Sequence, residues 1–231
     1  MEKGELFMSK EITASFFDED YFESNSKSNY GSYMDYPFFK DFAHFVYEKF
    51  LPRTLLEVGC AKGFMVKWFN RLGVDAYGVD ISEYAVSQCP SEIASKMTCG
   101  DFSETRWSGT VYDLVLCLET TEHIPEEKME SFIKNLYDST GEWCIVTTPI
   151  VPKGYDRLKD KNRDNDDSHI SLHCKDYWCD AFKKAGFEFT GMFTWYVPKI
   201  ETKGVDKNIS TDIKAPVDEF WRNKYVMVLK K

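Results

Sequence analysis

The sequence contains no run of Lys and Arg and no apolar stretch approaching the roughly 20 residues that cross a bilayer. Its 29 basic residues are outnumbered by 38 acidic residues, for a formal net charge of −9. A nucleic-acid backbone would therefore need a local basic groove strong enough to overcome repulsion by the whole chain. No signal peptide is recognisable. We expect a cytoplasmic protein, monomeric or homodimeric, whose partner is a small molecule and neither a nucleic acid nor a membrane.

The seven cysteines show no spacing typical of a disulfide framework, and an odd number cannot all pair within one chain. Several lie in apolar runs, so buried reduced thiols are the expected state. Cys174 and Cys179 lie near His169 and His173, and all four are residue types that bind zinc. Structural zinc sites usually have more closely paired ligands, so we do not predict zinc here.

No internal repeat or low-complexity tract is visible, and 231 residues suit one domain with a modest addition. We predict an N-terminal lid segment and helix over 1–50 and a single α/β domain over 51–231. Residues 1–36 carry many aromatic side chains, which a free tail would rarely have, so this part is expected to pack over the domain. Insertions near 150–173 and 198–220 are expected on the side of the functional site.

Apolar residues between Pro37 and Phe50 recur at helical spacing. Beyond them, short apolar runs alternate with amphipathic helices, which is typical of a parallel sheet with helices on both faces. We predict strands at 54–58, 76–80, 97–99, 114–118, 143–147, 187–196 and 224–229. The sequence thus predicts a doubly wound, mostly parallel sheet in an α/β fold.

A glycine-containing turn, Glu57–Gly63, joins the first predicted strand to the next helix. A dinucleotide-binding turn would need glycines at 59, 61 and 64, but the residues there are Gly59, Ala61 and Phe64. A phosphate-binding P-loop is excluded because no Gly-Lys-Ser/Thr follows. The turn therefore indicates another nucleotide-like ligand, whose ribose hydroxyls Asp80 could bind at the end of the second strand.

The end of the third predicted strand, Gly100-Asp101-Phe102, offers an amide edge and a carboxylate to an adenine amino group. Together with the glycine turn and Asp80, it makes residues of about 50–150 similar to the class I S-adenosylmethionine-dependent methyltransferases. The resemblance implies a seven-stranded, Rossmann-like sheet whose last strand is antiparallel to the rest. It also implies S-adenosyl-L-methionine as the cofactor.

The same resemblance assigns roles to individual residues. Gly59 and its neighbours would face the methionine part, Asp80 the ribose and Asp101 the adenine. Lys62 stands where a small or polar residue is more usual, so its side chain is expected to point away from the cofactor. Tyr30 belongs to an aromatic segment that would close over the cofactor, with packing alone as an equal alternative. The full set expected at the cofactor comprises Tyr30, Glu57, Gly59, Cys60, Ala61, Gly63, Asp80, Ile81, Asp101, Phe102, Leu118 and Glu119.

Past the fourth predicted strand, Glu119, Glu122 and His123 place two carboxylates and an imidazole within five residues. These groups could bind one divalent cation. The Glu-x-x-Glu-His pattern is similar to that of metal-assisted ubiquinone-pathway O-methyltransferases and small-RNA 2′-O-methyltransferases, which implies His169 as a further ligand. Glu122, His123 and His169 are the catalytic candidates, and these three with Glu119 are the metal candidates. Bound Mg²⁺ or Mn²⁺, a metal-free site with His123 or His169 as the base, and a structural role are the open alternatives.

The implied reaction is methyl transfer to an acceptor that the sequence does not name. We predict an enzyme acting on a hydroxyl of a small polar molecule, such as a sugar, a sugar nucleotide, a phosphorylated metabolite or a phenol. The alternatives are a small-molecule N-methyltransferase without a metal, an RNA 2′-O-methyltransferase, which the acidic charge disfavours, and a cofactor-binding protein without catalysis. Chelation separates the first two, because only a metal-assisted enzyme loses activity.

Overall fold

A computed structural model of the chain describes residues 12–28, 30–104, 109–156, 166–196 and 223–231. The insertion expected near 198–220 lies outside these residues, as do 1–11 of the predicted lid segment and 157–165 of the insertion expected near 150–173. In the described part, strands form one central sheet with helices on both of its faces. The division of the chain into a lid segment with its helix and a larger domain stays a prediction.

The sheet is built from β1 (Thr54–Val58), β2 (Asp75–Asp80), β3 (Met97–Cys99), β4 (Tyr112–Leu118), β5 (Thr140–Thr148), β6 (Glu188–Tyr196) and β7 (Asn223–Lys230). Their spatial order is β3-β2-β1-β4-β5-β7-β6. The ladders among the first five strands are parallel, whereas β7 runs antiparallel to both of its neighbours. This arrangement confirms the predicted doubly wound, seven-stranded sheet with an antiparallel last strand.

The described α-helices are α1 (Glu19–Glu23), α2 (Pro37–Phe50), α3 (Phe64–Arg71), α4 (Glu83–Ser87), α5 (Glu126–Ser139) and α6 (Lys175–Ala185). Helix α2 has the predicted bounds, and Pro37 is its first residue, where a missing N–H is tolerated. Helix α6 ends at Ala185, and Gly186 follows it with a φ of 110°, the left-handed conformation of a C-terminal cap. None of the helices in these ranges is long and apolar enough to cross a membrane.

Alternate side chains of the central strands pack against opposite helical layers. Leu55 and Leu114 belong to the cluster with α2 and α3, whereas Leu56 and Val115 belong to the cluster with α5 and α6. All four side chains are completely buried, as expected where helices cover both faces of a parallel sheet. Each such side chain contributes about 2 kcal/mol of apolar burial, so the sheet is a rigid support for the loops at its edge.

The carboxyl ends of β1, β2 and β4 lie at the same edge of the sheet because these strands are parallel neighbours. Gly59 follows β1, Asp80 ends β2 and Glu119 follows β4. A crevice outside the carboxyl ends of such strands is the usual ligand site of an open α/β sheet. The fold therefore brings three separately predicted residues to one place.

Candidate active site

A cavity of about 940 Å³ lies at this edge of the sheet, and N-terminal residues form part of its wall. Its size is typical of small-molecule sites. The predicted site residues that line it are Tyr30, Gly59, Ala61, Asp80, Ile81, Asp101, Phe102, Glu119 and His123. The predicted site residues that do not line it are Glu57, Cys60, Gly63, Leu118, Glu122 and His169.

Three residues of the glycine turn have positive φ: Gly59 at 74°, Ala61 at 47° and Gly63 at 75°. Ala61 donates its backbone N–H to Asp80 Oδ2 at 2.7 Å, and Ser82 donates its backbone N–H to Asp80 Oδ1 at 2.8 Å. Burial raises the pKa of Asp80, although these hydrogen bonds oppose the rise by favouring the charged form. The carboxylate thus holds the turn after β1 against the end of β2.

Gly59 packs closely against the loop after β4. A Cβ atom on Gly59 would lie 2.6 Å from Thr120 Cγ2 and 2.8 Å from Thr120 Cβ, and nearer still to Oγ1. Thr120 Oγ1 is itself held by a hydrogen bond to Leu118 O at 3.1 Å. Gly63 has a different role, because a Cβ there would come within 2.7 Å of the Met97 side chain on β3. One glycine therefore brings two loops together, and the other lets the start of α3 pack on the sheet.

Glu57 and Cys60 are buried beside the turn, and burial raises the pKa of both side chains. Cys60 Sγ lies 2.7 Å from where a Cβ on Gly78 would be, so the thiol packs against β2. Glu57 accepts a backbone hydrogen bond from Val66, but its Oε2 has no hydrogen-bond partner within the described residues. A buried carboxylate oxygen in this state can accept from the ammonium group of a ligand.

At the far side of the cavity, Asp101 is held by two neighbours. Ser103 donates its backbone N–H to Oδ1 at 2.8 Å, and Lys128 Nζ donates to Oδ2 at 3.0 Å. Burial would raise the pKa of Asp101, but these hydrogen bonds outweigh it and hold the pKa below its usual value. Phe102 contacts Phe132 edge to face, with ring centroids 5.9 Å apart, and adds an apolar wall.

The N-terminal segment contributes a cluster of aromatic rings to the cavity wall. Phe17, Tyr21, Phe22 and Tyr30 all line it, although only Tyr30 was predicted at the site. Tyr21 is the centre of the cluster, with ring centroids 5.0 Å from Phe17, 5.1 Å from Phe22 and 5.7 Å from Tyr30. The density of aromatic residues in the sequence was the signal for this packing, but it did not distinguish which rings face the cavity.

Two buried lysines attach the N-terminal segment to the turn and to α3. Lys62 forms an ion pair with Glu23 and donates to Tyr33 O at 2.9 Å. Lys67 forms an ion pair with Asp35 and lies near aromatic rings of α3. The side chain of Lys62 therefore points into the N-terminal segment and does not line the cavity.

Glu122 and His169 lie next to His123, which lines the cavity. Each of the three residues offers one possible ligand atom, and these three atoms lie within 4.8 Å of one another. Glu122 is completely buried, and Thr148 Oγ1 donates to its Oε2 at 3.2 Å. Glu119, the fourth predicted ligand, is not in this group; its backbone N–H donates to Thr147 O at 2.9 Å.

The His123 ring is held from behind by Ser168. Its Nδ1 lies 3.2 Å from Ser168 O and 2.9 Å from Ser168 Oγ. Burial, reinforced by the neighbouring His169, lowers the pKa of His123 to about 4. The imidazole is therefore neutral at physiological pH, and a neutral ring can accept a proton or bind a metal.

Asp166 and Ser168 are site residues that the sequence reasoning did not single out. They precede His169 in the loop after β5, and Asp166 accepts hydrogen bonds from Ser168 and from Tyr21 OH. A polar Asp-x-Ser-His stretch in a solvated loop carries no pattern that distinguishes it from a turn. Only the tertiary fold reveals that both side chains are buried.

The other nearby residues of types that bind zinc are not part of the group formed by Glu122, His123 and His169. His173 is hydrogen-bonded through Nε2 to Glu126 and stacks on Tyr177 with ring centroids 3.5 Å apart. The metal-ligand group found in the described residues contains no cysteine. Cys174 and Cys179 are not in a disulfide.

The charged side chains of the cavity wall are predominantly acidic. The carboxylates that line it belong to Asp80, Asp101, Glu104, Glu119, Glu126 and Glu127. Lys128 also lines it, but its ammonium group is paired with Asp101 and Glu104. Such a wall attracts a cation, and the sulfonium of S-adenosylmethionine is one.

Comparison with known proteins gives both a family and a fold. The model of a family described as "Methyltransferase domain" matches residues 30–190. A curated relative, the ubiquinone biosynthesis O-methyltransferase of Paraburkholderia xenovorans (strain LB400), is 30% identical over 108 residues. That match covers 42% of this chain and 44% of the relative, so it spans less than half of either protein.

Solved structures share the fold at low sequence identity. The magnesium protoporphyrin IX methyltransferase of Synechocystis PCC 6803 with bound SAH has a TM-score of 0.59 at 16% identity, with 90% of each chain covered. A SAM-dependent methyltransferase of Archaeoglobus fulgidus has a TM-score of 0.58 at 15% identity, covering 83% of this chain and 94% of that chain. Because the family model also matches most of the sequence, the chain belongs to the methyltransferase domain family, as a class I enzyme that uses S-adenosylmethionine as its cofactor.

Proposed function

We propose that the enzyme transfers the methyl group of S-adenosylmethionine to a hydroxyl oxygen of a small polar molecule, such as a sugar, a sugar nucleotide, a phosphorylated metabolite or a phenol. The observation that carries this proposal is the place of the His123 imidazole in the cavity wall, beside an acidic surface suited to the sulfonium; burial lowers the pKa of this ring and so favours its neutral form. A hydroxyl must lose its proton during transfer, so such a base is needed. The partial similarity to a ubiquinone biosynthesis O-methyltransferase supports the same acceptor atom.

The cofactor is proposed to lie along the strand ends. Glu57 Oε2 is the acceptor available to its ammonium group, and Gly59 allows the turn to approach it closely. Asp80 uses one lone pair on each carboxylate oxygen for backbone N–H groups, which leaves others for the ribose hydroxyls. Asp101 would receive the adenine amino group, and Tyr30 would cover the cofactor. The remaining residues proposed at the cofactor either line the cavity or pack behind its lining. They are Cys60, Ala61, Gly63, Ile81, Phe102, Leu118 and Glu119.

The transfer itself is an in-line displacement at the sulfonium methyl carbon. A new bond forms between the acceptor oxygen and this carbon while the carbon–sulfur bond breaks, and both electrons of that bond stay on sulfur. Without a bound cation, His123 accepts the hydroxyl proton and later releases it to solvent. The products are a methyl ether, S-adenosylhomocysteine and one proton. Holding the oxygen about 3–3.5 Å from the methyl group is the main task of the cavity.

The same cluster could hold a divalent cation. Glu122, His123 and His169 supply one carboxylate oxygen and two imidazole nitrogens within 4.8 Å of one another. The carboxylate is a ligand type of both Mg²⁺ and Mn²⁺, and the two imidazoles favour Mn²⁺ over the oxygen-preferring Mg²⁺. When bound, such a cation would take up the ring lone pair of His123 and replace it as the group that activates the hydroxyl. It would polarise the acceptor oxygen and favour its ionised form, and the proton would pass to solvent. Glu119 was expected as a fourth ligand, but the proposed site does not require it.

Removal of metal tests this part of the proposal. We expect dialysis against EDTA to lower kcat about 10-fold and added Mn²⁺ to restore it, because the cation lowers the cost of ionising the hydroxyl. Steady-state assays before and after addition of the metal measure both effects. A turnover unchanged by EDTA and by Glu122→Ala would remove the cation from the mechanism and leave His123 as the proton acceptor.

The acceptor atom can be identified from the product. We expect that S-adenosylmethionine carrying a ¹³C-labelled methyl group, incubated with a panel of sugars, sugar nucleotides and phenols, yields a carbon signal at the shift of a methyl ether. NMR of the product mixture separates this signal from that of an N-methyl group. A product labelled only on nitrogen would replace the O-methylation proposal with its N-methylation alternative.

A further inference from the structure

A chain of hydrogen bonds links the N-terminal segment to the ring of His123. Tyr21 OH donates to Asp166 Oδ2 at 3.2 Å, and Ser168 Oγ donates to Asp166 Oδ1. Ser168 Oγ in turn lies 2.9 Å from His123 Nδ1. The four residues come from three segments far apart in sequence, so the contact forms only in the complete fold.

The chemistry of the acceptors sets the direction of this chain. A carboxylate only accepts hydrogen bonds, so the Ser168 hydroxyl hydrogen points to Asp166 and its oxygen is left to accept. The carbonyl of Ser168, 3.2 Å from the same ring nitrogen, can also only accept. Both contacts therefore require a hydrogen on His123 Nδ1. The neutral ring then has its lone pair on Nε2, the atom that must receive a proton or bind a metal.

Burial keeps the chain intact. Tyr21, Asp166 and Ser168 are 3%, 6% and 0% exposed, so water does not compete effectively for their hydrogen bonds. Burial also raises the pKa of Tyr21, so its hydroxyl keeps the hydrogen that it donates. The Tyr21 and Phe17 rings contact His123 edge to face, with centroids 6.5 and 5.6 Å away, and restrict its rotation.

We propose that Tyr21, Asp166 and Ser168 are positioning residues that set the tautomer and orientation of His123, so that packing of the N-terminal segment prepares the base. None of the three transfers a proton to the acceptor. An enzyme whose N-terminal segment has moved away would lose these contacts, and its imidazole would no longer be held in this orientation. This inference rests on the proposed role of His123.

Removal of one hydroxyl tests the coupling. Tyr21→Phe keeps the aromatic ring and removes only the donor to Asp166, so we expect kcat to fall about 10-fold while the KM for S-adenosylmethionine changes little. Ser168→Ala should have an effect of similar size. The matched control is Tyr84→Phe, which removes a hydroxyl that donates to Glu23 of the same N-terminal segment at 3.3 Å but does not touch His123. Its kcat should stay near that of the wild type.

A second measurement reports on the ring itself. Two-bond ¹H–¹⁵N correlation spectra of the S-adenosylhomocysteine complex distinguish imidazoles protonated on Nδ1 from those protonated on Nε2, and His123→Gln identifies the signal. We expect the Nδ1–H form in the wild type and in Tyr84→Phe, and a raised fraction of the Nε2–H form in Tyr21→Phe. A kcat loss without a change of tautomer or ring signal would show a merely structural role and overturn the inference.

The two proposals fail in different ways. If His123→Gln keeps full activity, His123 is not the base and the proposed mechanism falls, whatever Tyr21 does. If His123→Gln is inactive while Tyr21→Phe and Ser168→Ala are as active as the wild type, the mechanism stands and the positioning role is wrong.

Discussion

Replacement of His123 by Gln is expected to lower kcat about 100- to 1,000-fold, because glutamine retains a polar side chain of similar reach but cannot take up the hydroxyl proton. The glycine turn, Asp80 and Asp101 remain in place, so binding of S-adenosylmethionine should be nearly unchanged. Single-turnover rates of methyl transfer and calorimetric titration with S-adenosylhomocysteine measure the two quantities separately.

The same substitution at another histidine provides the control. His44 lies on helix α2, away from the cavity wall, so His44→Gln should retain the kcat of the wild type. If both variants kept the activity of the wild type, the acceptor would lose its proton to another group or directly to solvent. An equal loss in both would instead point to general instability.

The pH dependence of both activity and stability follows from the lowered pKa of His123. The neutral ring is needed, so kcat should fall as the pH decreases through about 4, and not through the ordinary histidine value of 6.5. Between these two values the unfolded chain binds a proton at His123 and the folded chain does not. The free energy of unfolding should therefore decrease as the pH falls below 6.5, and His123→Gln should reduce this slope. Chemical denaturation at several pH values tests the sign without any assay of activity.

Replacement of Gly59 by Ala is expected to cause the largest loss in the cofactor site. The new Cβ would overlap Thr120 while the residue kept a φ of 74°, a conformation that alanine rarely adopts. Together the overlap and the strain should cost about 2–4 kcal/mol of stability. If a similar amount is lost from the bound conformation, the affinity for S-adenosylhomocysteine falls about 100-fold. Thermal unfolding and calorimetry measure these effects.

Two variants separate the overlap from the strain. Gly73 also has a positive φ, 85°, but a Cβ there would meet nothing within 4 Å. Gly73→Ala should therefore lose only the smaller cost of the backbone conformation and keep its affinity for the cofactor. Thr120→Ala in the Gly59→Ala background removes the Oγ1 and Cγ2 atoms that overlap most and should restore part of the stability. Equal losses in Gly59→Ala and Gly73→Ala would show that contact with Thr120 has no importance.

The sequence predicted the sheet well because each strand contains its own signal. Runs such as Leu114–Leu118 are continuously apolar, which occurs when a parallel strand is covered on both faces. Helix α2 was predicted with its observed bounds because Pro37 marks its start and its apolar residues keep one spacing. Helix α4 was not identified in the sequence, since its five residues are too few to show a period.

The candidate site was predictable only where it follows strand ends. Asp80 and Asp101 could be placed because the order of the strands brings their ends together. The Tyr21–Asp166 hydrogen bond joins residues 145 positions apart, and no local pattern records such a pair. The expected cofactor set also mixed cavity-lining residues with Gly63, which packs against β3, because spacing along a turn does not show which way each residue faces.

The two lysines that attach the N-terminal segment have a consequence for any shortened form of the enzyme. A chain beginning at Pro37 would keep every strand and the glycine turn, yet it would lack Glu23 and Asp35. Lys62 and Lys67 would then lose their carboxylate partners, on the turn and on the helix beside it. The loss of N-terminal residues would thus act on the cofactor turn from its rear side. Glu23 and Asp35 thus support the turn and α3 from behind, so removal of the N-terminal segment would change the proposed cofactor site as well as shorten the chain.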